Sequence, residues 1–145
     1  MNAAQHRQLL SRLAELLGTQ QYDRLEEVYA PGLLTEYPQS GERFRGIESM
    51  RQQFANYPAL EKGTTEFADV IGGDTYALSP MYTVVTVEGS GDHGTALFRA
   101  RYPDGSRWWV INVYELEDGL ISSTRVFFAP DFEAPEWRAP YWDRT

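Results

Sequence analysis

The chain contains no cysteine, which excludes disulfides, thiolate nucleophiles and zinc–thiolate sites. Histidine is nearly as scarce, with only His6 and His93. Neither has an Asp, Glu or His partner at ligand spacing, so no metal site is expected. No run approaches 18 apolar residues, so no membrane span is expected. Basic residues are the minority, 13 Lys and Arg against 21 Asp and Glu, for a net charge of −8. They lie scattered among the acids, and without a segregated basic patch nucleic acid is repelled. The N-terminal MNAAQHRQLLSRLAELLG has no basic region followed by an apolar core. It reads as an amphipathic helix and not a signal peptide, and a cytoplasmic location is the default expectation. No cofactor is implied.

What is present is a globular composition. The 145 residues are 42% hydrophobic and 14% aromatic, enough for one domain with a real core. Asn2 with Gln5 resembles a capping box. Leu9, Leu10, Leu13, Leu16 and Leu17 fall on one helical face, and Gly18 is placed to close the helix. A second short helix is expected with Tyr22, Leu25, Val28 and Tyr29 on one side, stopped by Pro31-Gly32. Leu33–Tyr37 is the first expected strand. Gly46 opens a third helix with a stripe of Ile47, Met50, Phe54 and Tyr57, ended by Pro58.

Residues 59–80 are polar and broken by Gly63, Gly72, Gly73 and Pro80. They read either as a functional loop or lid, or as an edge strand with turns. From Met81 the pattern is β: strands Tyr82–Val87, Thr95–Tyr102, Arg107–Leu116 and Leu120–Phe128. GSGDHG, Pro103-Asp104-Gly105 and Glu117-Asp118-Gly119 supply the turns. The sum is an α+β domain. Helices gathered on one face of a curved sheet would enclose a cone-shaped cavity, a default small-molecule site.

Strand alternation assigns the faces. Ala96, Phe98, Ala100 and Tyr102 point to the core, because Arg99 and Arg101 on the other face need water. Trp108, Val110, Asn112, Tyr114 and Leu116 share one face of the next strand; Trp109, Ile111, Val113 and Glu115 share the other. Both faces are largely apolar. An apolar outer face points to a second subunit, most simply a twofold homodimer, or to cover by the C-terminal segment. Asn112 is a lone amide on its face. A buried amide without partners costs roughly 1–3 kcal/mol, so it bonds either to the protein or to a ligand.

Between the first strand and the third helix stands EYPQSGERFRG. With the order of elements, the hairpin WWVINVYELEDGLI and the ending FFAPDFEAPEWRAPYW, it resembles the nuclear transport factor 2-like superfamily, and more closely its SnoaL-like branch. The resemblance covers nearly the whole chain. It implies a cone-shaped α+β barrel, a strongly curved antiparallel sheet with three helices from the N-terminal half on its concave face, often dimeric. Residues 1–130 would form the barrel and residues 131–145 an aromatic, proline-rich strap docked on the domain or on a dimer partner.

The resemblance also places candidate site residues. Ketosteroid isomerase relatives carry an Asp base just before the proline that ends the first strand; here Tyr37 precedes Pro38. Their tyrosine donor on the first helix falls at Leu13, and their protonated Asp on the penultimate strand at Asn112. The Asp of SnoaL-type cyclases falls at Val126. An Asp-Arg-Asp cluster of the epoxide hydrolase kind has no counterpart on the inferred inner faces of the last three strands. Asn112 can donate to an oxyanion but cannot move a proton as Asp does. The expected catalytic candidates are therefore Tyr37 and Asn112. The expected ligand-binding residues are Leu13, Gln39, Tyr82, Phe98, Val110, Tyr114, Thr124, Val126 and Phe128. Such a lining suits a small, largely apolar molecule with one or two oxygens; the same residues could also simply fill the barrel. Three functions stay open: a cyclase- or isomerase-type enzyme, a non-catalytic binder, and a dimeric interaction module. On the same alignment residues 59–80 are an insertion, expected to form a lid with glycine hinges.

Overall fold

Asn2 begins the first helix as the sequence predicts. Its side chain accepts from the Gln5 N–H at 2.9 Å, and the Gln5 side chain accepts from the Asn2 N–H at 2.8 Å. This capping box opens α1, Ala3–Gly18, in a computed structural model that describes residues 1–56, 82–101 and 105–143, with backbone alone at 82–85. The expected lid at residues 59–80 and the expected helix end at Pro58 lie outside the described residues, as do Tyr57 and Tyr102. α1 buries Leu10, Leu13, Ala14 and Leu16, the face its leucine spacing sets, and also His6. Each leucine so buried contributes roughly 1.5–3 kcal/mol relative to exposure.

The second helix is shorter than expected. It is a single 3-10 segment, Tyr22–Glu27. Val28 and Tyr29 do not belong to it, and Tyr29 already opens strand β1, Tyr29–Tyr37. Pro31-Gly32 therefore does not stop a helix but sits inside a strand. The pairing register of β1 shifts between Tyr29 and Leu34. A proline, with no N–H to give, is tolerated where the ladder is interrupted.

EYPQSGERFRG holds a strand that the sequence reading missed. After β1 the chain turns through Pro38–Gly41, with the Ser40 and Gly41 N–H groups donating to the Tyr37 carbonyl. It returns as β2, Glu42–Arg45, antiparallel to β1. Gly41 takes φ +79° in this turn, a conformation only glycine adopts without strain. α2, Ile47–Ala55, follows and buries Met50.

The second half forms β3 (Tyr82–Ser90), β4 (His93–Arg101), β5 (Arg107–Glu117) and β6 (Leu120–Pro130). The turn between β3 and β4 is only Gly91-Asp92, so His93 is a strand residue and not a turn residue. Asp118 and Gly119 both have positive φ, +51° and +78°, the backbone of a two-residue type I′ hairpin.

The sheet runs β2-β1-β6-β5-β4-β3. The α+β class and the curved sheet with its N-terminal helices stand as expected; the sheet is open and not a closed barrel. It is also not wholly antiparallel, because β1 lies parallel to β6. α1 packs across β3, and α2 packs against the 3-10 segment and β1. Between helices and sheet lies the core, with Leu10, Leu16, Leu25, Leu33, Tyr114 and Ile121 almost wholly buried. Among the described residues no helix is long and apolar enough to cross a membrane.

Candidate functional site

A cavity of about 60 Å³ opens between the helices and the inner face of the sheet. One water needs roughly 10–15 Å³ by the same kind of measure, so this is more than a single-water void. α1 contributes Leu13 and Leu17, and α2 contributes Met50 and Phe54. β1 contributes Tyr29, Thr35 and Tyr37; β4 contributes Phe98; β5 contributes Val110 and Asn112; β6 contributes Thr124, Val126 and Phe128. The alternation that set the inner faces of β4, β5 and β6 brings residues from three strands to one wall.

Of the residues singled out in the sequence, Leu13, Tyr37, Phe98, Val110, Asn112, Thr124, Val126 and Phe128 line this cavity. Gln39 and Tyr114 do not. Gln39 is exposed and clasps the Phe128 backbone, its Nε2 donating to the carbonyl at 2.8 Å and its Oε1 accepting from the N–H at 2.6 Å. Tyr114 is on the inner face but lies over Gly94, with its hydroxyl 2.8 Å from His6 Nδ1. For Tyr82 only the backbone is described, paired with Ala100.

Five lining residues were not anticipated: Leu17, Tyr29, Thr35, Met50 and Phe54. Met50 and Phe54 were on the predicted helical stripe, and alternation from Leu33 and Tyr37 would have placed Thr35 inward. Tyr29 was hidden by its assignment to a helix.

The polar content of the cavity is neutral. Tyr37 donates to Gln53 Oε1 at 3.2 Å, and its ring meets Phe44 and Phe128 edge-on, with centroids 5.1 and 5.2 Å away. The Tyr37 hydroxyl thus serves as a hydrogen-bond donor. Burial pushes the Tyr29 phenol well above its ordinary value, with the neighbouring Tyr37 adding to the shift. Among the described lining residues there is no Asp, Glu, Lys, Arg or His. Among the described residues no cluster of His, Asp or Glu could hold a metal ion.

The hydroxyl of Thr35 is the one buried side-chain polar atom without a hydrogen-bond partner among the described residues. Thr35 is directly opposite Thr124 in the parallel register of β1 and β6. Asn112 lies diagonally from Thr124, since Thr124 pairs with Tyr114 and Val126 pairs with Asn112. The Asn112 amide forms no hydrogen bond among the described residues.

On the outer face Glu36 pairs with Arg43 at 3.0 Å and Arg125 at 3.4 Å. Arg99 stacks over the Trp109 ring, 4.3 Å from its centroid, and grips both oxygens of Asp131 at 2.6 and 2.5 Å. Beyond Asp131 the segment carries exposed Phe132, Trp137, Tyr141 and Trp142.

A cavity held between N-terminal helices and the concave side of a curved, open sheet defines the α+β cone of the nuclear transport factor 2-like superfamily. The chain belongs to the SnoaL-like domain family, whose profile matches residues 10–124. No curated protein matches it. Among solved structures, an NTF-2 like protein from Burkholderia xenovorans LB400 superposes with TM-score 0.74 at 19% identity, covering 98% of this chain and 96% of that one. A protein from Kribbella flavida DSM 17836 described as a "putative ketosteroid isomerase" gives 0.73 at 20% identity, covering 99% and 91%. An LEH-like epoxide hydrolase of M. tuberculosis gives 0.59 at 14% identity, covering 87% and 84%. At these identities the likeness shows the shared fold.

Proposed function

We propose that the chain binds a small, mostly apolar molecule with one or two oxygens in the cavity between α1, α2 and the sheet. The observation that supports this is the lining itself: an apolar enclosure with neutral polar groups on its sheet side and no carboxylate among the described lining residues. Such a site gains its affinity from apolar burial and its orientation from a few hydrogen bonds. Among the described lining residues none is a carboxylate that could carry out proton transfer.

The test is a titration with methylenecyclohexane followed by amide NMR. Shifts centred on Val110, Asn112 and Val126, lost when Val126→Phe fills the space, are the expected result. Shifts elsewhere, or shifts that survive Val126→Phe, would overturn the reading.

A second reading, turnover assisted by neutral donors, is favoured by one observation: Tyr37 and Asn112 line the same cavity. With a candidate substrate in hand, Tyr37→Phe and Asn112→Leu should lower turnover while binding persists. Turnover untouched by both changes would remove them as catalytic groups.

We also infer a homodimer through the outer face of the sheet. Trp109 and Val113 are 36% and 39% exposed there, and the aromatic residues after Asp131 offer further apolar surface. Native mass spectrometry should give twice the chain mass, and Val113→Glu should return the monomer mass.

A further inference from the structure

Thr35 presents a hydroxyl that is fully buried, without a partner among the described residues, on the wall of the cavity. Removing a hydroxyl from water without replacing its hydrogen bond is costly. A valine would have the same shape and no such cost. Thr124 stands directly opposite Thr35 on the neighbouring strand, and adjacent strands are about 4.8 Å apart. Asn112 is the diagonal neighbour of Thr124 on β5, within reach for a ligand spanning two strands. All three line the cavity.

We propose that Thr35, Thr124 and Asn112 form a neutral polar floor that receives the carbonyl or hydroxyl oxygen of an uncharged ligand. The inference rests on the cavity reading above and adds the class of ligand. Two hydroxyls and one carboxamide can each donate or accept, so one floor serves a carbonyl, which only accepts, and a hydroxyl, which does both. An ionised ligand is disfavoured, because no opposite charge lines the described wall and an unpaired charge is expensive to bury. The charges of β1 and β6, Glu36 and Arg125, pair with each other at 3.4 Å instead.

Cyclohexanone, methylenecyclohexane and cyclohexanecarboxylate share a ring and differ at one position: an oxygen, a methylene, an anion. Affinities are measured by NMR titration at pH 7 for wild type, Thr35→Val, Thr124→Val and Thr35→Ser. Thr35→Val should weaken cyclohexanone about three- to tenfold, the worth of one net hydrogen bond, and leave methylenecyclohexane unchanged. Thr124→Val should do the same, and Thr35→Ser, which keeps the hydroxyl, should restore the wild-type ratio. Cyclohexanecarboxylate should not bind measurably. If the ratio of the two neutral affinities is the same in every variant, the polar floor is overturned while the cavity reading survives. If methylenecyclohexane itself fails to shift the cavity amides, the cavity reading falls and the floor with it. Should Thr35→Val not fold, Thr124→Val and Thr35→Ser decide the question alone.

Discussion

His6 Nδ1 lies 2.8 Å from the hydroxyl of Tyr114, joining the first turn of α1 to the middle of the sheet across 108 positions of sequence. The other ring nitrogen, Nε2, is 3.1 Å from the Gly91 carbonyl. A carbonyl only accepts, so in the neutral ring Nε2 carries the proton and Nδ1 accepts from Tyr114. Both side chains are almost wholly buried.

Tyr114→Phe keeps the ring and deletes the hydroxyl, leaving the buried Nδ1 without its donor. The expected loss of stability is about 1–3 kcal/mol, the cost of an unsatisfied buried group. Urea denaturation of the two proteins measures it, with an unchanged slope expected because the same surface is exposed on unfolding.

Burial pushes the Tyr114 phenol up to about 12. The folded state therefore holds this proton more tightly than the unfolded chain. Its contribution to stability is complete below the ordinary tyrosine value near 10 and is lost as pH rises from there through about 12. An absorbance titration at 295 nm should lose one of its late phenolates in Tyr114→Phe, while that of Tyr29 remains.

Two glycines make room for this pair. A Cβ on Gly89 would come within 2.5 Å of the His6 ring, and one on Gly94 would run into the Tyr114 ring and hydroxyl. Gly94→Ala should cost about 1–3 kcal/mol through overpacking. Gly32→Ala, where no atom lies within 4 Å, should be neutral or slightly stabilising, since it only narrows the unfolded ensemble. Melting curves of both variants make the comparison.

The hydrogen bonds from Arg99 hold the Asp131 carboxyl below its usual range. The stabilisation this brings is present above the ordinary aspartate value and is lost as pH falls through the lowered one. Arg99→Lys removes the two-pronged grip. The carboxyl carbon resonance of Asp131 should then titrate at higher pH than in wild type.

Gln39→Ala removes both hydrogen bonds to the Phe128 backbone. Amide exchange at Phe128 should accelerate by about tenfold, in line with the loss of a net hydrogen bond or so. Exchange at Tyr114, in the buried middle of β5, should not change.

The elements whose periodicity is unbroken were legible in the sequence. α1 follows from five leucines and a capping pair. The faces of β4 and β5 follow from alternation and that of β6 from the family resemblance, and with them the sheet side of the cavity from these three strands. What was hidden lay where two local signals conflict. Pro31-Gly32 reads as a stop, yet the structure uses it in a strand interruption, which a chain-local rule cannot distinguish. β2 is four residues long and charged, too short to show a period. The role of Gln39 depends on a partner 89 positions away, and that of His6 on one 108 away; neither spacing leaves a trace in composition. Tyr37 stood out because of its neighbour Pro38, whereas Thr35 carried no comparable flag and acquires its meaning only from burial.

The parallel pairing of β1 with β6 has a consequence for how the molecule assembles. β3 to β6 form by successive local hairpins, each available as soon as its second strand exists. β1 has no such neighbour on its inner side: Glu36 meets Arg125 only after 89 further positions. Closing so long a loop costs entropy before any contact repays it, which slows folding. On the ribosome, the β1–β2 hairpin of the N-terminal half must wait, its inner edge unpaired, until the last strand has emerged. During synthesis that half of the chain is therefore the one that most needs a chaperone.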